Sequence, residues 1–137
     1  MKVKALRLAA YLLIAHFLII LGFAFLGQGT PNYPHLVVAF ALVFSATMAL
    51  FSPRRRGWLI VLAYAIVALS PHAAGLWGTW NNPAVPLGMK VVSLVILAVI
   101  DSLAIAALVL VFKPANFAAF TSSVPSLDVT QNPVTKG

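Results

Sequence analysis

Four long runs of apolar residues constrain the fold of this chain more than any other feature. They cover residues 6–27, 35–52, 57–80 and 87–112, and each is close to the length of about 20 residues that an α-helix needs to cross a bilayer. Only 8% of the 137 residues are charged, whereas a soluble domain carries about 25% charged residues. We therefore expect an all-α integral membrane protein in which four transmembrane helices form an antiparallel bundle.

Short polar segments connect these runs, and a longer polar segment follows the last one. The connections QGTPNYP, SPRRRG and NNPAVP all contain turn-forming residues. Residues 1–113 are therefore predicted to form one transmembrane domain. Residues 114–137 are predicted to form a polar C-terminal tail, either loose or docked on a partner, in which Phe117 and Phe120 could lie on the membrane surface.

The basic residues predict the orientation of the chain. They cluster at the amino terminus, in the hinge formed by Arg54, Arg55 and Arg56, and at Lys113. Because short cytoplasmic loops carry an excess of Lys and Arg, we expect both termini in the cytoplasm of a bacterium and the chain in its inner membrane. Contact with anionic lipid headgroups accounts for the net charge of +7, so we do not expect nucleic acid as a partner.

One carboxylate lies inside the fourth run. Asp101 is one of only two acidic residues in the chain, and a charge at mid-membrane costs about 2.5–3.5 kcal/mol. Counting residues back from each turn places His16 within about 4.5 Å of its depth. We therefore predict an intramembrane polar pair of Asp101 and His16, which is either a structural clasp or part of a proton relay. A third alternative is a neutral Asp101 bonded to Ser102, Tyr64 or a backbone carbonyl.

The two other histidines are predicted at a common depth nearer the outer side. The same counting places His35 and His72 on neighbouring helices, where imidazoles can ligate haem b, zinc or copper. The alternative is that His35 is solvated at the interface and that His72 bonds a carbonyl freed by Pro71. Asp101 is predicted about 7 Å deeper than His72, and the chain has no cysteine to complete a ligand set.

Small residues at four-residue spacing predict where helices pack, because they permit close backbone approach in lipid. These residues are Ala41, Ser45 and Ala49 in the second run, and Ala98, Ser102 and Ala106 in the fourth.

The polar groups inside the runs are too few for an independent catalytic site, so we expect a protein that is not an enzyme. We expect a small integral subunit that packs against and stabilises a larger membrane complex of the respiratory, photosynthetic or transport type. One alternative is a proton-coupled transporter or channel that works as a homo-oligomer through Asp101 and His16. The other is an electron-transfer subunit that binds haem or quinone near His35 and His72. Haem b belongs to that alternative alone, and no cofactor is predicted otherwise.

Overall fold

The computed structural model describes residues 2–26 and 31–121, which form five α-helices. They are α1 (Lys2–Leu26), α2 (Tyr33–Phe51), α3 (Gly57–Asn81), α4 (Leu87–Phe112) and α5 (Pro114–Thr121). The first four are long and apolar enough to cross a membrane. The prediction of an all-α chain with four helices of transmembrane length is therefore confirmed for the described residues. Part of the predicted first turn, and the tail beyond Thr121, lie outside them.

Local sequence signals account for the helix ends. Asn32 precedes α2, and its side-chain oxygen accepts a hydrogen bond from the backbone N–H of His35. Arg56 directly precedes α3, and its φ of 68° is left-handed. Pro86 comes directly before α4, and Pro114 begins α5, where the missing N–H of proline is tolerated.

The four long helices pack as a ring in which α1 contacts α2, α2 contacts α3, α3 contacts α4, and α4 contacts α1. Each helix buries one face, and small side chains make up much of the interior. The buried alanines are Ala9, Ala10, Ala39, Ala46, Ala65, Ala68, Ala104 and Ala107. Since lipid provides no hydrophobic force between helices, such small residues allow the close packing that holds them together.

The predicted stripes of small residues are not the faces that form this core. Ala98, Ser102 and Ala106 are exposed on α4, where the buried residues are instead Ile100, Ala104, Ala107 and Val111. In α2, Ala41 is exposed and Ser45 and Ala49 are half-buried. The core faces of α2 and α4 follow the helical period of about 3.6 residues. The packed face alternates steps of three and four residues and so stays aligned.

The C-terminal segment also differs from the prediction. Helix α5 packs back onto α1, α3 and α4, and Phe120 within it is 1% exposed and belongs to the core. Phe117 stacks on Phe112, with their ring centroids 5.7 Å apart. Gly57 leaves room for Phe120, because a Cβ atom at residue 57 would lie 3.3 Å from the Phe120 ring. Helix α5 thus packs against helices of its own chain, whereas the tail was predicted to be loose or docked on a partner.

Candidate functional site: an intramembrane cluster of histidine and aspartate

Polar side chains from three helices meet inside the bundle. His16 comes from α1, Tyr64 and His72 come from α3, and Asp101 comes from the middle of α4. We call His16, His72 and Asp101 the triad. Each of the three offers one ligand atom, and these atoms all lie within 4.8 Å of one another.

A single carboxylate oxygen faces both histidines of the triad. Oδ1 of Asp101 lies 2.6 Å from Nδ1 of His72 and 3.5 Å from Nε2 of His16. The first distance is that of a strong hydrogen bond to a charged acceptor, and the second is at the outer limit for a hydrogen bond. The structure therefore brings Asp101 close to His16, as depth counting predicted. Its nearer partner is His72, although the same counting had placed Asp101 about 7 Å deeper in the membrane than His72.

Tyr64 holds His16 from the opposite side. Its hydroxyl oxygen lies 2.9 Å from Nδ1 of His16 and can also donate to the carbonyl oxygen of Leu13, 3.5 Å away. Both Tyr64 and His16 are 0% exposed. Because both ring nitrogens of His16 face a partner, the orientation of this imidazole is fixed.

The two hydroxyl groups suggested as partners for a neutral Asp101 form other hydrogen bonds. The hydroxyl of Ser102 donates to the carbonyl of Val99 in its own helix, at 2.6 Å, and the hydroxyl of Tyr64 faces His16. A similar correction applies to His72. It follows Pro71, which lies inside α3, but its Nδ1 faces Asp101 rather than a carbonyl freed by the proline.

The triad is closed on one side and open on the other. His16 is fully buried, whereas the side chains of His72 and Asp101 are 20% and 19% exposed. These two residues line a cleft of about 540 Å³ between α3 and α4. His72 also borders a second cleft of about 360 Å³ next to α1 and α4.

His35 lies apart from this cluster. Its backbone N–H donates to Asn32 in the first turn of α2. Within residues 2–26 and 31–121, no hydrogen bond or ring contact joins His35 to His72, and the one group of metal-ligating side chains is the triad. The structure therefore pairs His72 with Asp101 and His16 instead of with His35.

The arginine hinge forms a separate feature at one end of the bundle. Arg54, Arg55 and Arg56 are exposed and line a groove of about 550 Å³ together with Ser45 and Met48. The predicted role of the arginines in topology or in headgroup binding stays a prediction.

The triad offers two imidazole nitrogens and one carboxylate oxygen, which can share hydrogen bonds or surround a small cation. The chain matches no protein-family model, no curated protein and no solved structure.

Proposed function

We propose that the protein is a small, non-enzymatic integral membrane subunit that binds a transmembrane helix of a larger membrane complex in the cleft between α3 and α4. The observation that carries this proposal is the partial exposure of His72 and Asp101, 20% and 19%, in the middle of helices of membrane length. Lipid tails cannot form hydrogen bonds, so polar side chains at this depth face protein or water in membrane proteins. A helix lying in the cleft covers both residues and stabilises the complex.

The small residues beside Asp101 support a helix as the occupant. Ala98, Ser102 and Ala106 line the same cleft and are exposed in the chain itself. Their small size is therefore not required by the packing of the bundle. Small residues at four-residue spacing allow the backbones of two membrane helices to approach closely, so the predicted stripe on α4 is suited to a contact between chains.

The proposal includes an antiparallel bundle with both termini in the cytoplasm and the chain in a bacterial inner membrane. Ring contacts support the antiparallel order of α1 and α2. Tyr11 contacts Phe51, and Phe17, which comes later in α1, contacts Phe40, which comes earlier in α2; both pairs of centroids are 6.0 Å apart. The positive-inside distribution of Lys and Arg supports the orientation.

Co-purification from membranes in mild detergent, followed by mass spectrometry, tests the proposal. We expect larger membrane proteins to accompany the wild type and to be lost from Ala98→Leu, because leucine fills the cleft. Ala74→Leu is the matched control, since Ala74 is equally an exposed alanine on a membrane-length helix but does not line the cleft. A wild type that purifies alone, or an Ala98→Leu variant that keeps the same partners, contradicts the proposal.

A second copy of this chain is the alternative occupant of the cleft, and it corresponds to the homo-oligomeric transporter or channel built on Asp101 and His16. The position of this pair beside the open cleft favours the second candidate, because a neighbouring copy would then approach Asp101 directly. Native mass spectrometry distinguishes the two. A stable homo-oligomer that Ala98→Leu dissociates and Ala74→Leu preserves indicates the transporter, whereas a heteromeric complex indicates the subunit.

Among the described residues, no contact between His35 and His72 supports the electron-transfer alternative. It stays a prediction that an optical spectrum of the purified protein tests, since bound haem has a strong Soret band.

A further inference from the structure

We infer that the triad is a binding site for a divalent late transition-metal ion of the zinc type, held by Nε2 of His16, Nδ1 of His72 and Oδ1 of Asp101. The three ligand atoms converge from three helices to within 4.8 Å of one another. Two of the three histidines and one of the two acidic residues of the whole chain take part. Imidazole and carboxylate are the ligands that zinc and its neighbours accept, whereas Mg²⁺ and Ca²⁺ require mainly oxygen.

Two of the three separations between ligand atoms are near those of a metal site, and the whole set lies within 4.8 Å, so the three side chains draw together when the metal binds. With metal–nitrogen and metal–oxygen bonds of about 2.0–2.2 Å, the ligand atoms of a tetrahedral site lie about 3.3 Å apart. The separation of 3.5 Å between His16 Nε2 and Asp101 Oδ1 is already close to this value. The 2.6 Å between His72 Nδ1 and Asp101 Oδ1 is a hydrogen bond. The metal replaces it as the two atoms move apart by about 0.7 Å, and the neutral His72 ring then carries its hydrogen on Nε2. Both side chains border the open cleft, so this movement leaves the core in place.

Tyr64 can satisfy His16 with and without the metal. In the metal-free form the Tyr64 hydroxyl donates to Nδ1 of His16, 2.9 Å away, and Nε2–H of His16 points toward Asp101. When a metal occupies Nε2, the ring carries its hydrogen on Nδ1 and donates to the Tyr64 oxygen. The Tyr64 hydroxyl then donates to the carbonyl of Leu13 at 3.5 Å. His16 stays neutral in both forms, so its change of tautomer releases no proton into the bilayer.

This arrangement around His16 is the second observation that indicates a metal ligand. Histidines that bind metals in proteins donate their other ring N–H to a carboxylate, a carbonyl or a similar acceptor, which fixes the ring and its tautomer. The Tyr64–Leu13 pair provides such an acceptor at a site that is 0% exposed. The same reasoning makes Tyr64 a positioning residue that acts on the metal through His16.

The open side of the triad leaves a fourth coordination position. His16 closes the interior side, while His72 and Asp101 border the cleft between α3 and α4. A fourth ligand therefore enters from the cleft, as in zinc sites where three protein ligands leave one position for water or a substrate. Water fills this position in the isolated protein. The inference does not depend on the partner helix proposed above.

Titration of the purified, tag-free full chain in detergent with Co²⁺ tests the site. Tetrahedral Co²⁺ absorbs visible light far more strongly than the hexahydrated ion. We expect absorption that saturates at about one Co²⁺ per chain, that Zn²⁺ abolishes by displacement, and that excess Mg²⁺ leaves unchanged. His72→Ala and Asp101→Asn should lose the absorption, and Tyr64→Phe should weaken the affinity about 10–100-fold. The matched control is His35→Ala, which removes a histidine outside the triad and should retain full binding.

Several outcomes overturn the inference: a wild type without Co²⁺ absorption, a His35→Ala variant that loses it, or a His72→Ala variant that keeps it. Zn²⁺ should also raise the unfolding temperature of the wild type while Mg²⁺ does not, because a ligand that binds only the folded state stabilises it. This second measurement needs no variant and decides the question if a triad variant fails to fold. A negative result leaves the partner proposal intact, since co-purification does not depend on the metal.

Discussion

Nδ1 of His72 and Oδ1 of Asp101 lie 2.6 Å apart and join α3 to α4 through a hydrogen bond in the middle of both helices. The same carboxylate oxygen lies 3.5 Å from Nε2 of His16 on α1. One acidic side chain therefore connects three of the four membrane-length helices. Substitutions in and around it should report on stability as well as on function.

Replacing Asp101 with an apolar residue should destabilise the bundle. In Asp101→Leu, both histidines lose their acceptor, which should lower the free energy of unfolding by about 1–3 kcal/mol. Asp101→Asn should cost less, because the amide oxygen can still accept from both imidazoles. Unfolding by SDS in mixed micelles, followed by circular dichroism, measures the difference. Ser102→Ala is the control and should change stability little, since the Ser102 hydroxyl bonds within its own helix. If Asp101→Leu is as stable as the wild type, the hydrogen bonds of Asp101 do not hold the helices together.

The Tyr64 hydroxyl should contribute measurably to stability. Tyr64 is 0% exposed, and Tyr64→Phe leaves Nδ1 of His16 without its partner. We expect a loss of about 1 kcal/mol, which is typical of a hydrogen bond between membrane helices. Tyr11→Phe removes the same hydroxyl from a side chain that is 59% exposed and should have little effect. If the two variants unfold at the same SDS fraction, the bond from Tyr64 to His16 carries no net stability.

A side chain at Gly57 should loosen the contact between α3 and α5. A Cβ atom there would lie 3.1 Å from Ala49 Cβ and 3.3 Å from the Phe120 ring, so Gly57→Ala should cost about 1–3 kcal/mol through overpacking. Gly75→Ala is the matched control, because a Cβ at that glycine has no atom within 4 Å. Thermal unfolding should show a lower midpoint for the first variant only. If Gly57→Ala is as stable as Gly75→Ala, the close packing of α5 against Gly57 is contradicted.

Labelling of single cysteines should establish the topology, and the natural chain contains no cysteine that would interfere. Ser52, Ala84 and Ala115 are exposed at helix ends and suit replacement by cysteine. With both termini in the cytoplasm, a membrane-impermeant maleimide should label Ala84→Cys in intact spheroplasts. Ser52→Cys and Ala115→Cys should react only after the membrane is opened. Labelling of Ser52→Cys and Ala84→Cys from the same side would rule out the antiparallel bundle.

The positions of the long helices could be read from the sequence because a bilayer demands both length and apolarity. The predicted span 87–112 coincides with α4, which lies between Pro86 and Pro114. Helix α5 was missed because eight residues of mixed polarity resemble a loop. The signal that could have revealed it is the pair Phe117 and Phe120, which lie three residues apart after a proline and share one helix face.

The composition of the site was only partly predictable for a geometric reason. Depth counting compares backbone positions, and it placed His16 at nearly the same depth as Asp101. In the structure, Nε2 of His16 lies 3.5 Å from Oδ1 of Asp101. It misplaced His72 because each Cα–Cβ bond tilts toward the amino terminus of its helix. In the antiparallel arrangement that we propose, the His72 side chain tilts away from the turn between α3 and α4, and that of Asp101 tilts toward it. The two side chains thereby close the gap between their backbones.

The deep burial of His16 has a consequence for biogenesis. Asp101 follows His16 by 85 positions, so α1 can leave the ribosome before Asp101 has been translated. During that interval the imidazole lacks its final partners and must be accommodated by the translocon or by water near the headgroups. We expect nascent chains that stall before α4 to retain this unsatisfied group and to be degraded more readily than the complete chain.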